Sequence, residues 1–188
     1  WKKKKIWLIY EKYSSSAQDN GFYFFRYCME QLPPQERRHI YFILDKSSPQ
    51  WADMQKYKKH ILPFMSFRHI LYLLLADLYV ASDARLHAFA WKPMPNLISR
   101  EINRHDIFFL QHGVLGLKRV DALFGKNGAS PMTYFAVSSD AEQRIVTEYF
   151  GYEKKHVPVV GLARWDVLED RSDSAQKKIL VMPTWRSW

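Results

Sequence analysis

The sequence predicts an α/β fold in which a mostly parallel sheet carries helices on both faces. Short apolar, β-rich segments alternate with helical segments, and the connections between them are short. The apolar segments are nearly continuous, which is typical of parallel strands that are covered on both sides. Ligands of such sheets bind beyond the carboxyl ends of the strands, so the residues that follow each strand are the first candidates for a functional site.

Each strand is predicted from an apolar run that is bounded by polar or turn-forming residues. The run at residues 157–160 contains a proline, which favours an edge position because proline cannot donate to a sheet. The predicted strands are residues 5–10, 39–44, 61–62, 78–82, 106–111, 134–138, 157–160 and 177–182.

The predicted helices are marked by residues that begin or end them. Asp19 is a candidate N-cap for a helix over residues 20–30, and two prolines at 33 and 34 end it. Ser66 is a candidate N-cap for residues 67–75, and residues 51–59 form a further short helix. Ser139 and Glu142 have the spacing of a capping box, which predicts a helix over residues 140–150 that ends at a glycine.

The length of 188 residues corresponds to about one domain. Residues 169–176 are polar and resemble a linker, so the strand predicted after them begins a second unit. The chain starts without methionine and stops shortly after that strand, at residue 188. We therefore expect residues 1–168 to form one domain, residues 169–176 a linker, and residues 177–188 the first strand of a truncated second domain.

Basic residues outnumber acidic ones by 28 to 19, and the excess is concentrated at the start of the chain. Residues 1–68 hold 13 basic and 6 acidic residues, against 15 and 13 in residues 69–188. This bias favours an anionic partner, which charge alone leaves open as a phospholipid surface, a polyphosphate or a nucleic acid.

Cys28 is the only cysteine, which excludes an internal disulfide framework and a multi-cysteine zinc site and fits a reducing compartment. The longest apolar run, residues 70–76, is far shorter than the roughly 20 residues that cross a bilayer. The chain has neither the dinucleotide fingerprint G-x-G-x-x-G nor a Walker A motif, so neither NAD nor ATP is expected as a direct ligand. No cofactor and no metal is predicted.

The most informative polar segment follows the strand at residues 106–111. His112 stands at the mouth of the predicted cleft, and an imidazole there suits general-base chemistry near neutral pH. Gly113 and Gly116 allow backbone N–H groups to approach an anion, and Lys118 and Arg119 add positive charge. The alternative interpretation is a loop histidine with a structural hydrogen bond beside two solvated cations.

Two other loops carry candidate groups with open alternatives. Asp19 and Asn20 begin a helix whose N-terminus could bind an anion, although Asp19 opposes one there and a simple N-cap explains the residues as well. Arg164 and Asp166 follow the strand at residues 157–160. They could bind a phosphate and orient a partner, or form an ion pair that orders the turn.

Six sequence blocks in this order resemble the CDP-glycerol glycerophosphotransferase family, the teichoic-acid primases and polymerases of Gram-positive bacteria and their relatives. Any one block is weak, but six in the same order are fairly specific, and together they extend over nearly the whole chain. The blocks are Ser-Ala-Gln-Asp-Asn-Gly-Phe-Tyr-Phe (16–24), Leu-Gln-His-Gly-Val-Leu-Gly-Leu-Lys-Arg (110–119), Val-Ser-Ser-Asp (137–140), Tyr-Phe-Gly-Tyr (149–152), Gly-Leu-Ala-Arg-Trp-Asp (161–166) and Ile-Leu-Val-Met-Pro-Thr-Trp-Arg (179–186).

The resemblance implies a GT-B enzyme, with two Rossmann-like domains facing a cleft. It implies transfer of glycerol phosphate from CDP-glycerol to a lipid-linked acceptor, by a protein bound peripherally to the cytoplasmic face of the membrane. His112 corresponds to the catalytic base of the family. Residues 1–168 would then be the acceptor-side domain, and the block at 183–186 would open the donor domain. Most of the CDP-glycerol site is therefore expected beyond this chain, which should be inactive alone.

Two rival functions fit the same residues. One is a GT-B glycosyltransferase that uses a sugar nucleotide, and the other is a basic, non-catalytic module that recruits a wall-polymer or capsule complex to the membrane. No nucleic-acid partner is expected, because a helix-turn-helix, zinc-finger or RNP motif is lacking and only the charge would favour one.

Overall fold

A computed structural model describes residues 5–90, 97–116, 119–173, 175–176 and 179–181. Its centre is a six-stranded sheet in which every strand pair is parallel. The strands are β1 (Trp7–Tyr10), β2 (Ile40–Leu44), β3 (Ile61–Pro63), β4 (Leu78–Ala81), β5 (Asp106–Phe109) and β6 (Tyr134–Phe135).

Seven α-helices lie in the described part of the chain, joined in places by short 3-10 turns. The turns that matter below are Lys12–Ser14, Gln55–His60, Arg85–Ala88 and Ala163–Val167. The helices are α1 (Asn20–Gln31), α2 (Pro34–Arg37), α3 (Trp51–Met54), α4 (Phe67–Leu75), α5 (Leu97–Ile102), α6 (Asp121–Phe124) and α7 (Asp140–Tyr149).

The strand order in the sheet is β3-β2-β1-β4-β5-β6. This is the doubly wound, Rossmann-like order, and it confirms the predicted fold class. The chain moves outward in one direction from β1 to β3 and then returns to the other side of β1 with β4. The order therefore reverses between β1 and β4, and the loops that follow these two strands border the crevice where such sheets bind ligands.

Both faces of the sheet are buried, because alternate residues of each strand pack into different core layers. On β1, Leu8 and Tyr10 belong to one layer, together with Leu73 of α4. Ile9 points to the other layer, where Phe25 of α1 packs. Since successive side chains of a strand point to opposite faces, this division places helices on both faces, as predicted.

The predicted N-cap positions of α1, α4 and α7 are confirmed, but only those of α4 and α7 are capped by their own side chains. The hydroxyl of Ser66 accepts a hydrogen bond from the N–H of His69, and that of Ser139 accepts one from the N–H of Glu142, each at 3.2 Å. Asp19 has the N-cap position of α1, but its side chain makes no cap hydrogen bond. The carboxylate of Glu11 takes over this task, as described below.

Other differences concern short segments. The strand predicted at residues 157–160 is reduced to a single bridge between Val137 and Val159. The helix predicted over residues 51–59 divides into α3 and the 3-10 turn Gln55–His60, and α5 and α6 were not predicted. Of the strand predicted at residues 177–182, only residues 179–181 are described; they are exposed and carry no strand, and the rest lies outside the described residues.

A buried histidine makes the stability of this fold depend on pH. His69 is fully buried in the first turn of α4, and its Nδ1 accepts a hydrogen bond of 2.9 Å from the N–H of Met65. Burial lowers the pKa of His69 to about 4. The folded state therefore keeps this ring neutral at pH values where the unfolded chain, with an ordinary pKa of about 6.5, protonates it.

We expect the free energy of unfolding to fall as the pH is lowered from about 6.5 to about 4, by about 3 kcal/mol in total, because the unfolded state binds the proton first. Denaturant unfolding across this range measures the slope. His69→Gln keeps an acceptor for Met65 but cannot be protonated, so it should flatten the slope. The pH dependence that remains in this variant should come from His105, because burial also lowers the pKa of that histidine. Equal slopes in the two proteins would contradict this account.

Candidate active site at the carboxyl edge of the sheet

His112 lies on the loop that follows β5, at the carboxyl edge of the sheet, and is exposed. Its Nδ1 is 3.1 Å from the main-chain oxygen of Ser82, the residue that follows β4. A carbonyl can only accept a hydrogen bond, so Nδ1 carries the proton in the neutral ring and Nε2 keeps its lone pair. The ring also contacts Phe109 and Phe124, with centroid distances of 6.4 Å and 6.2 Å. The site thus presents an oriented imidazole.

The residue before His112 has a strained backbone that the core stabilises. Gln111 has a φ of +60°, which is uncommon for a residue with a side chain. Its side-chain amide donates to the main-chain oxygen of Ala136 and, at 3.1 Å, to the carboxylate of Glu142. Both Gln111 and Glu142 are buried. These buried partners fix the turn that carries His112 away from the strand direction.

Glu142 joins the loop after β5 to the loop after β6. One oxygen of its carboxylate also accepts from the N–H of Leu115 at 2.6 Å, and the other accepts from the N–H and hydroxyl of Ser138 at 2.6 Å and 2.8 Å. In the predicted capping box this carboxylate would bind the N–H of Ser139 instead. Only the serine half of the box is formed, because the glutamate is used to hold the two loops.

Three predicted site residues from distant parts of the chain meet behind His112. The side-chain amide of Asn20, which is buried, donates to the main-chain oxygen of Gln111 at 2.7 Å, and its oxygen accepts from the N–H of Arg164 at 3.0 Å. The guanidinium of Arg164 donates to the main-chain oxygen of His112 at 3.0 Å and forms an ion pair with Asp19. The loops after β1 and β5 and the 3-10 turn Ala163–Val167 are therefore locked together.

The N-terminus of α1 is occupied by a carboxylate of the chain itself. Glu11, directly after β1, is buried and accepts hydrogen bonds from the N–H groups of Gln18 at 3.0 Å and of Asp19 and Phe22 at 2.8 Å. Burial raises the pKa of Glu11, although these three amides oppose the rise. A Cβ at position 21 would lie 3.0 Å from the Cγ of Glu11, so a larger residue there would require the glutamate to shift by a few tenths of an ångström. The N–H groups that would bind an exogenous anion at this helix N-terminus are therefore already bonded to a carboxylate of the chain.

The remaining predicted residues are less closely connected to the site. Arg119 is exposed and forms a bidentate ion pair with Asp121, at 2.9 Å and 3.1 Å. A Cβ at Gly113 or Gly116 would meet nothing within 4 Å, so the packing of the chain does not itself require either glycine. Lys118 lies outside the described residues.

Asp166 does not form the ion pair with Arg164 that was one of the two alternatives. Its side chain is exposed and forms no ion pair within the part of the chain that the structure describes. The ion pair that orders this turn joins Arg164 to Asp19, 145 residues earlier in the chain.

Three further residues belong to the site although the sequence pattern does not predict them there: Glu11, Gln111 and Glu142. Glu11 carries a usable signal, since a charged residue directly after a buried strand stands at the carboxyl edge. The sequence places Gln111 in a strand and Glu142 in a helix cap. Their hydrogen bond joins residues 31 positions apart, and only the fold brings them together.

The described residues contain no group of three or more His, Cys, Asp or Glu side chains that could hold a metal ion. No helix in the described ranges is long and apolar enough to cross a membrane.

The strand order and the oriented histidine define the class of this chain: a Rossmann-like domain with an imidazole at the carboxyl edge of its sheet. The sequence model of the family described as CDP-Glycerol:Poly(glycerophosphate) glycerophosphotransferase matches residues 1–188. The chain belongs to this family, as the six blocks predicted.

A curated relative is the "Minor teichoic acid biosynthesis protein GgaB" of Bacillus subtilis (strain 168). It is 28% identical over 191 aligned residues, which cover 98% of this chain and 20% of the relative. The chain thus spans about one fifth of the length of the curated relative it matches.

Removing the Glu142 carboxylate should destabilise the protein more than removing the cap on the same helix. Glu142→Ala leaves the N–H groups of Leu115 and Ser138 without an acceptor and removes one of the two acceptors of the buried Gln111 amide, and each donor that burial keeps from water costs about 1–3 kcal/mol. We expect the free energy of unfolding to fall by at least about 3 kcal/mol. Ser139→Ala, the matched control, should cost about 1 kcal/mol. If denaturant unfolding gave the same loss of unfolding free energy for both variants, the hydrogen bonds of Glu142 would not contribute to stability beyond the cap.

Proposed function

We propose that this chain forms the acceptor side of an enzyme that transfers glycerol phosphate from CDP-glycerol to a lipid-linked wall or capsular polymer and releases CMP. The observation that carries the proposal is the imidazole of His112, whose Nδ1 is held by the oxygen of Ser82 at the carboxyl edge of the sheet. Membership of the glycerophosphotransferase family supports the donor and the general class of acceptor.

In the proposed reaction, a hydroxyl oxygen of the acceptor attacks the β-phosphorus of CDP-glycerol. As the new P–O bond forms, Nε2 of His112 takes the hydroxyl proton. The bond between the β-phosphorus and the oxygen that bridges the two phosphates then breaks, and CMP leaves with the bonding electron pair. Most of the catalysis in such a transfer comes from positioning and from stabilising charge on the transferred group.

The residues around His112 support a division of roles. Asn20 and Arg164 bind the main-chain oxygens of Gln111 and His112, and Asp19 holds the guanidinium of Arg164. These contacts favour positioning of the base over direct binding of phosphate, because their polar atoms are already used within the chain.

We assign the phosphate-binding role to the loop after His112. The open surroundings of Gly113 and Gly116 leave room for phosphate oxygens near the backbone N–H groups. Lys118 and Arg119 would supply charge, and a phosphate would compete with Asp121 for Arg119. Asp166 is exposed and could contact the acceptor.

We further propose that the protein acts as a peripheral protein at the cytoplasmic face of the membrane, where a lipid-linked acceptor would be found. The basic excess of residues 1–68 supports binding to an anionic surface. Helix α4 also exposes Phe67 and Leu75, by 83% and 55%, beside the exposed Arg68. Exposed apolar side chains next to a cation are typical of surfaces that lie on anionic lipid.

His112→Gln should lower CMP release by the full-length protein from CDP-glycerol and a lipid-linked glycerophosphate primer by about 10²–10⁴-fold. This loss corresponds to about 3–5 kcal/mol of transition-state stabilisation. The matched control is His60→Gln, because His60 also places its Nδ1 on a main-chain oxygen, that of Ile40 at 2.9 Å, but lies at the opposite edge of the sheet. The control should release CMP at the wild-type rate.

A loss below tenfold in a folded His112→Gln protein would contradict the assignment of the base. If the wild type used UDP-sugars and left CDP-glycerol unchanged, the chain would belong to a glycosyltransferase instead. If it released nothing from either donor, a non-catalytic recruiting module would replace the proposal.

A further inference from the structure

The 3-10 turn after β1 holds two consecutive residues in a backbone conformation that side chains disfavour. Tyr13 has a φ of +56° and Ser14 a φ of +53°, and neither is glycine. Such residues persist only where their surroundings enforce them, and they cluster at functional sites. The turn lies at the reversal point of the sheet, beside the crevice described above.

Ser14 is the residue that anchors this turn. It is fully buried, its hydroxyl donates to the main-chain oxygen of His87 at 3.1 Å, and its own main-chain oxygen accepts from the N–H of Asp45 at 2.7 Å. Half of the surface of the neighbouring Tyr13 is exposed. The buried serine thus enforces a conformation that projects a large aromatic side chain at the edge of the crevice.

The ring of Tyr13 is supported by the loop that also orients His112. Its centroid lies 4.4 Å from that of His87, in a tilted stack, and Nδ1 of His87 is 3.4 Å from the carboxylate of Asp83. The residue before Asp83 is Ser82, whose main-chain oxygen holds the His112 ring. Residues 82–87 therefore connect the imidazole at one end to the ring of Tyr13 at the other.

We propose that Tyr13 is the aromatic contact for the hydroxylated unit of the acceptor, next to the hydroxyl that His112 deprotonates; this inference rests on the proposed function. A half-exposed tyrosine offers an apolar ring face for the C–H groups of a polyol or sugar and a phenolic hydroxyl for its oxygens. The ammonium of Lys12 lies 5.8 Å from the centroid of the same ring and would suit the phosphate that links acceptor units.

The strained backbone provides a test that separates binding from structure. Glycine adopts a positive φ at no steric cost, so Tyr13→Gly should leave the melting temperature unchanged or higher while removing the ring. A tyrosine kept only for packing against His87 would give the opposite result, a lower melting temperature. Tyr13→Phe retains the ring face and removes the hydroxyl, so it should show an intermediate effect on binding.

Two measurements on the full-length protein use a short poly(glycerol phosphate) oligomer as the probe. In CMP release at saturating CDP-glycerol, Tyr13→Gly should raise the KM for the oligomer at least tenfold and leave kcat and the KM for CDP-glycerol unchanged. In NMR titration without donor, the Kd for the oligomer should rise by a similar factor. Tyr27→Ala, which removes an equally exposed tyrosine from α1, should change none of these values.

The inference is overturned if the wild type does not bind the oligomer, if Tyr13→Gly binds it normally, or if the variant raises the KM for CDP-glycerol instead. Its failure is distinguishable from that of the proposed function. Wild-type protein that binds the oligomer through Tyr13 but releases no CMP would support the aromatic contact and contradict the transferase.

Discussion

The carboxylate of Glu11 at the start of α1 determines how the crevice of this domain is organised. In dinucleotide-binding domains of the same strand order, the first strand–helix turn is rich in glycine, and the helix N-terminus binds phosphate. Here the carboxylate of Glu11 accepts hydrogen bonds from three N–H groups of that turn, and its side chain lies close against Gly21. A buried acceptor at this point disfavours an anionic ligand at the N-terminus of α1 and leaves the loop after β5 as the candidate for the transferred phosphate.

A second buried carboxylate, that of Glu142, organises the other side of the crevice. It accepts hydrogen bonds from the side chain of Gln111, whose backbone is strained, and from the N–H of Leu115. These two bonds fix the loop on both sides of His112. The domain thus uses carboxylates and amides of the chain where dinucleotide-binding domains use glycine-rich turns. Hydrogen bonds of Asn20 and Arg164 to each other and to the main chain at Gln111 and His112 join three of the six family blocks. These blocks are 16–24, 110–119 and 161–166.

The sequence was sufficient to predict the fold where apolar runs were long, and insufficient where contacts between distant residues decide the structure. The strands around Leu8 and Phe42 were predicted because both faces of each are buried. The strand predicted at residues 157–160 is limited to the bridge at Val159. A short apolar run does not show whether a neighbouring strand pairs with it. The sequence predicts Asp19 as the cap because it adjoins the helix, whereas the carboxylate that accepts the hydrogen bonds lies eight residues earlier, across a turn.

The position of His112 at a strand end followed from the sequence, but the orientation of its ring depends on Ser82, 30 residues away. The most direct test of the account is therefore the tautomer of this ring, measured by long-range proton–nitrogen NMR correlation on histidine-labelled protein at a pH where the imidazole is neutral. The account predicts a proton on Nδ1 and a bare Nε2. A proton on Nε2 would contradict it, because the nitrogen assigned to accept the proton of the acceptor would already carry one.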